Sequence, residues 1–250
     1  MKVFRKIRNA VRGKSTKTIP QVEQNHTQAV EQNKTQAVER KQTEVSKKSL
    51  PTVFVVYYST YGHLKTIAHN VVNGLKSTGL VNVELRQLPE TLPQEVLEKM
   101  HAPPKDASVP VFTLEEFENG DAFMFGFPTR FGGPPAQVQS FIDSSGSLWA
   151  KKALVGKMVG VFTGTGSQSG GQESATFTFL PNLIHQGMLY VPMGFTHDNL
   201  FAVEEIVGGS AYGSGSIASP TGQRAVSQKE IAVAIHHGQL FGKTVSRYLS

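Results

Sequence analysis

The chain has 250 residues, with 25 Lys and Arg, 19 Asp and Glu, and no cysteine. That length supplies one sizeable core with room for a tail, and the missing thiols exclude disulfides, thiol nucleophiles, iron–sulfur clusters and thiolate metal sites. The net charge of +6 is uneven: residues 1–50 hold 12 Lys and Arg against 4 Glu, and residues 51–250 hold 13 against 15, so nucleic-acid binding by the globular part has no electrostatic support.

No apolar run approaches the about 18 residues a membrane helix requires, and no secretory signal pattern is present. Residues 1–50 read as a basic low-complexity tail. An octapeptide runs from Val22 to Ala29, repeats from Val30 to Ala37, and decays from Val38 to Val45. One or two apolar residues in eight bury too little area to offset ordering entropy, so the segment is expected to be disordered. Within it, Val3, Ile7 and Val11 share a helical face among Lys2, Arg5, Lys6, Arg8 and Arg12. Val3–Arg12 therefore reads as a peripheral membrane contact on a cytoplasmic protein, with a mitochondrial presequence or a plain solvated tail as the other readings.

From residue 51 a regular pattern begins. Val53–Tyr58 is a near-continuous apolar strand, as in a parallel sheet covered on both faces. Leu64, Ile67, Ala68, Val71, Val72 and Leu75 mark an amphipathic helix that Gly79 stops. Val83–Leu88 is a second strand, followed by a proline-rich stretch with one short helix near Glu95–Met100. Ala122–Phe127, Met158–Thr163 and Met188–Pro192 are the third, fourth and fifth strands. Helices fall at about Pro135–Asp143 and Ser174–Gln186, and residues 193–226 read as glycine-rich loop. Ser227-Gln-Lys-Glu230 is a capping box opening a last helix. Alternating strands and helices give a doubly wound parallel sheet, here five-stranded and flavodoxin-like in the order 2-1-3-4-5. In such sheets ligands sit at the carboxyl ends of the strands.

Three unusual loops fall at that edge. Ser59-Thr-Tyr-Gly-His-Leu64 joins a buried strand to a helix N-terminus, which suits a phosphate. It contains no lysine, so it is not an ATPase loop, and neutral donors around a monoester point to flavin mononucleotide (FMN). Gly126-Phe-Pro-Thr-Arg-Phe-Gly-Gly-Pro-Pro135 offers backbone donors from Thr129 to Phe131 for the flavin ring, and Arg130 adds positive charge beside a reduced, anionic flavin. Thr163-Gly-Thr-Gly-Ser-Gln-Ser-Gly-Gly-Gln-Glu173 is flexible enough to approach the ring through its backbone. His236-His237 lacks a third ligand, and no metal is expected.

These segments, with Gly146-Ser-Leu-Trp149, Gly170-Gly-Gln-Glu173, His185-Gln-Gly-Met188 and Gly208-Gly-Ser-Ala-Tyr-Gly213, resemble the WrbA-type family of flavodoxin-like NAD(P)H:quinone oxidoreductases. The resemblance covers about Val53–Ser250. It implies a two-electron quinone reductase, homotetrameric or homodimeric, that uses FMN and NADH or NADPH and protects against oxidative stress. It also implies that Ser59, Thr60, Tyr61, Gly62, His63 and Leu64 hold the phosphate and that Thr129, Arg130 and Phe131 hold the ring. Gly164, Thr165, Gly166, Ser167, Gln168, Ser169 and Gly170 would line the ring and ribityl chain. His185 would contact the flavin and stand as the one candidate catalytic group, and Tyr61 and Trp149 would border the nicotinamide or quinone. Gly164 stands where the family often has serine, and Gln186 where a second histidine is common. A one-electron carrier and a non-enzymatic membrane-associated stress protein are the rival readings.

Overall fold

The computed structural model describes residues 49–250; the tail predicted over 1–50, with its repeat and Val3–Arg12, lies almost wholly outside them. Residues Leu50–Ser250 form one compact unit. The elements in order are β1 (Thr52–Tyr57), α1 (His63–Ser77), β2 (Asn82–Gln87), α2 (Gln94–Lys99), α3 (Leu114–Asn119), β3 (Ala122–Pro128), α4 (Ala136–Ser144), α5 (Gly146–Lys151) and β4 (Met158–Thr165). There follow α6 (Ser174–His185), β5 (Leu189–Tyr190), a 3-10 turn (Asp198–Phe201), β6 (Gly209–Ser210), β7 (Gly213–Ile217) and α7 (Gln228–Leu249). No helix among the described residues is long and apolar enough to cross a membrane.

The strands run β2-β1-β3-β4-β7-β6, parallel as far as β7, with β5 pairing β4 off that path. The flavodoxin-like order therefore holds through the first four strands, but the sheet has seven strands and not five. The fifth position is divided. β4 is eight residues long; its first two residues pair with Leu189–Tyr190 and its last three with Gly215–Ile217. The expected strand over Met188–Pro192 shrinks to two residues, and the expected loop over 193–226 contains β6 and β7. β7 reads Gly-Ser-Gly-Ser-Ile and is buried throughout. A Cβ on Gly213 would stand 1.9 Å from the Val161 carbonyl oxygen, and one on Gly215 would stand 2.8 Å from that of Thr163. Close backbone approach, not side-chain burial, selects this strand.

Two apolar layers cover the sheet. One face packs Phe54, Phe123 and Phe125 against Phe112, Phe117, Phe141 and Phe179. Their rings meet mostly tilted or edge-on, for example Phe117–Phe123 at 4.9 Å and 84°, the arrangement ring quadrupoles favour. The other face packs Val53, Val55 and Met124 under α1 and α7. These two helices cross at glycines: a Cβ on Gly74 would stand 2.0 Å from the Ile235 carbonyl oxygen, and one on Gly238 would stand 2.2 Å from that of Val71. On α7, His237 is buried behind β7, and its Nδ1 accepts from the Ser214 N–H (3.2 Å) and faces the Ser214 hydroxyl (3.1 Å).

Candidate functional site

A cleft of about 420 Å³ opens at the carboxyl ends of β1, β3, β4 and β7. Its floor begins with the turn after β1. Ser59 Oγ accepts from the Gly62 N–H (3.0 Å). Gly62 takes φ +93° at the N-cap of α1, a conformation that costs glycine nothing. The cap has no side-chain partner and α1 has no acidic residue in its first turn, so the positive end of a 15-residue helix faces the cleft uncompensated.

Neighbouring loops hold this turn. Lys105 Nζ donates to the Ser59 carbonyl (3.0 Å) and to Glu90 (3.0 Å), and lies 4.0 Å from the centre of the Tyr58 ring. Tyr58 donates its hydroxyl to Glu90 Oε2 (2.9 Å). Burial opposes charge on Glu90, but the Lys105, Leu92 and Tyr58 hydrogen bonds outweigh it and bring its carboxyl down to about 2. Burial, with Glu90 adding to it, pushes the Tyr58 hydroxyl up to about 12. The pair is thus a fixed anion and a fixed donor, and neither serves as a proton shuttle near neutral pH. Arg130 bridges the first and second loops, donating to Thr60 Oγ1 (3.2 Å) and to the Thr129 carbonyl (3.0 Å). Tyr61 donates to the Met100 carbonyl (3.1 Å) and keeps half of its surface exposed at the mouth.

The cleft gathers Ser59, Thr60, Tyr61, His63, Leu64, Thr129, Arg130, Gly164, Thr165 and Gly166 of the residues predicted from sequence. Gly62 lies just behind it. Ser167, Gln168, Ser169 and Gly170 continue the third loop outside the lining, and Phe131 points into solvent with φ +52°. A Cβ on Gly164 would stand 2.4 Å from the end of the Leu64 side chain on α1, so a larger residue here needs that side chain to move.

His185 and Trp149 lie apart from these residues: neither lines the cleft of its own chain. α6 starts beside the cleft and descends for 12 residues, which carries His185 roughly 16 Å from Ser174 along the axis. It ends near the start of β4, where the Gly156 N–H bonds the Gly187 carbonyl. Trp149 sits on α5, just before β4 begins. Both side chains are exposed at the opposite edge of the sheet.

Residues 216–222 were missed. Ser216, Ala218, Ser219, Pro220, Thr221 and Gly222 form a fourth wall facing the first loop. The turn sequence Ser219-Pro-Thr-Gly222 was the available signal, within the stretch that read as glycine-rich loop.

The donor set tests what the cleft accepts. An uncompensated helix N-terminus at one end suits a phosphate, and the hydroxyl-bearing residues Ser59, Thr60, Thr165, Ser219 and Thr221 line the walls. Thr129 Oγ1 and Ser216 Oγ belong to lining residues but are themselves buried beneath the surface. A phosphate end followed by hydroxyl-lined walls matches a flavin mononucleotide.

The family described as NADPH-dependent FMN reductase matches residues 52–200. The chain belongs to this family. Its family-matched span ends before the fourth wall at 216–222. Relatives of this FMN reductase-family chain include quinone-oxidoreductase QR2 of Triphysaria versicolor, 49% identical over 74% of this chain and 91% of that protein. The P25 protein of Schizosaccharomyces pombe is 47% identical over 78% and 97%. An NAD(P)H dehydrogenase (quinone) of Acidovorax ebreus is 44% identical over 78% and 96%. Among solved structures, a flavodoxin, WrbA-like protein from Agrobacterium tumefaciens matches with a TM-score of 0.54 at 20% identity, covering 79% of this chain and 99% of that one; this likeness bears on the fold.

Proposed function

We propose that the chain is an FMN-dependent NAD(P)H:quinone oxidoreductase with a protective role under oxidative stress. The observation that carries the reading is the cleft itself: a lysine-free hydroxyl loop on a bare helix N-terminus at the carboxyl ends of the strands. Relatives named as quinone oxidoreductases support the substrate class.

Ser59 to Leu64 would receive the phosphate through backbone N–H groups and the Thr60 hydroxyl. Thr129, Arg130 and Gly164 to Gly166 would flank the ring and ribityl chain. Bound FMN supplies hydride acceptance and two-electron donation. The chain's part is to orient the donor and acceptor and exclude water. Arg130, held by Thr60 and Thr129, would add positive charge beside the reduced, anionic flavin. Tyr61 offers a flat surface at the mouth, and one mouth serves both substrates in turn, which gives ping-pong kinetics.

Rapid mixing of the yellow holoprotein with NADH should bleach the flavin fully without a lasting semiquinone spectrum, and benzoquinone should restore it. A stable semiquinone with no direct oxidation of NADH or NADPH would instead establish a one-electron carrier.

We also propose a homotetramer or homodimer. Trp149, Phe177 and Ile184 each expose more than 60% of their surface, and Trp149 and His185 can border a flavin only if that flavin belongs to a second copy. Sedimentation velocity should show a dimer or larger; a 27.2 kDa species at micromolar concentration would refute it.

A further inference from the structure

The fourth wall of the cleft is held by a buried carboxylate on α7. Glu230 is fully buried and accepts from the N–H groups of Gly208 (3.0 Å), Ile217 (3.0 Å) and Ser227 (2.7 Å). Arg224 Nη1 donates to both of its oxygens, at 2.9 and 3.0 Å. The capping box predicted from sequence accounts for the Ser227 contact alone. The other contacts draw together chain segments on either side of β7.

Arg224 completes the arrangement. Its Nη1 also donates to the Ile217 carbonyl (2.7 Å) and its Nη2 to that of Ile206 (2.7 Å). Its backbone N–H bonds the Ala218 carbonyl (3.0 Å), which closes residues 218–224 into a loop. Ala218 in turn donates its N–H to the Thr165 carbonyl at the end of β4 (2.8 Å). The Arg224 carbonyl then reaches back across the cleft to His63 Nε2, at 2.9 Å. A carbonyl only accepts, so His63 must donate from Nε2, and its ring at the first turn of α1 is held in one orientation.

A buried ion pair adds little net stability compared with apolar packing, and its best attested use is to fix an arrangement. Here the arrangement fixed is a wall of the cleft and the histidine at its phosphate end. We propose that Arg224 and Glu230 are positioning residues for the phosphate end of the flavin site, acting through the 218–224 loop and His63. This rests on the FMN reading above.

The test is a fluorescence titration of the full-length chain with FMN and with riboflavin, which lacks the phosphate. Arg224→Ala should weaken FMN binding about tenfold or more, the scale of one lost hydrogen bond to a charged group, and riboflavin binding by less than about threefold by the same conversion. Glu230→Gln and Arg224→Lys are measured alongside, and every variant is titrated at a temperature at which its own unfolding curve shows it fully folded. The same asymmetry between ligands in a folded variant supports the assignment. Equal weakening of both ligands means general loosening and overturns it, as does unchanged FMN affinity. If the wild type takes up neither flavin, the FMN reading falls and this inference falls with it; wild-type FMN binding with indifferent variants removes this inference alone.

Discussion

Gly238→Ala is expected to destabilise the fold by about 2 kcal/mol, although alanine is the better helix former. Helix propensity alone favours the substitution by about 1 kcal/mol. Against that, the new Cβ would stand 2.2 Å from the Val71 carbonyl oxygen and 2.9 Å from the Leu75 nitrogen. Both are backbone atoms of α1 and cannot rotate away, so the two helix axes must separate. Overpacking of this kind costs about 1–3 kcal/mol, occasionally more, and here it also breaks the matching contact at Gly74. Gly242 is the internal control: a Cβ there meets the end of the Leu75 side chain at 3.3 Å, so Gly242→Ala should be near neutral or mildly stabilising. Urea unfolding curves for the two variants give the answer. A Gly238→Ala protein more stable than wild type would show that the crossing is looser than described. Because α1 carries the phosphate turn at its N-terminus, separation of the helices should also weaken FMN binding.

Acid should weaken the fold through His237. Burial, with His236 adding to it, lowers this imidazole from 6.5 to about 3. Its Nδ1 is engaged with Ser214, and Nε2 is buried without a partner among the described residues. Between those two values the unfolded chain binds a proton that the folded chain refuses. Stability therefore falls as pH drops from 6.5 towards 3, by about 1.4 kcal/mol per unit from this one group. His69 and His236 are also shifted down, chiefly by burial, and act in the same direction. His237→Asn, which can keep an acceptor for Ser214, isolates the one contribution. Between pH 6.5 and 5, above the range where Glu90 protonates, the variant should show a markedly shallower loss of stability than wild type in urea unfolding. Parallel slopes would place the acid sensitivity elsewhere.

β1, β3 and β4 and the helices α1, α4, α6 and α7 were legible because burial marks them; the short helices α3 and α5 were not read, and β2 is a half-exposed border strand that burial does not mark. Val53–Tyr57 is apolar throughout, as a strand covered on both faces must be, and the α1 residues at helical spacing are the ones buried under α7. The divided fifth position was not legible. β7 alternates glycine and serine, so neither hydrophobic period nor β-propensity marks it; only the neighbouring carbonyls show why side chains are excluded. The site followed the same division. Its first loop could be read because strand, hydroxyls, glycine and helix are contiguous. Arg224 and Glu230 serve the cleft through contacts to Gly208, Ile217 and His63, partners set by tertiary structure. That His185 lies away from its own chain's cleft was not legible for a related reason: a motif position says nothing about which edge of the sheet a helix end reaches.

The sheet's two borders also restrict how copies of this chain can meet. β6 is only two residues long and already folded back antiparallel on β7, so it offers almost no ladder for an incoming strand. At the other border β2 spans six residues. Its end is taken up by the bridge from Gln87 to Val111, and Arg86 there is paired with Glu84 and Glu116. Charged, short or partly capped borders discourage strand addition. Self-association of the folded chain is thereby directed to helix and loop faces.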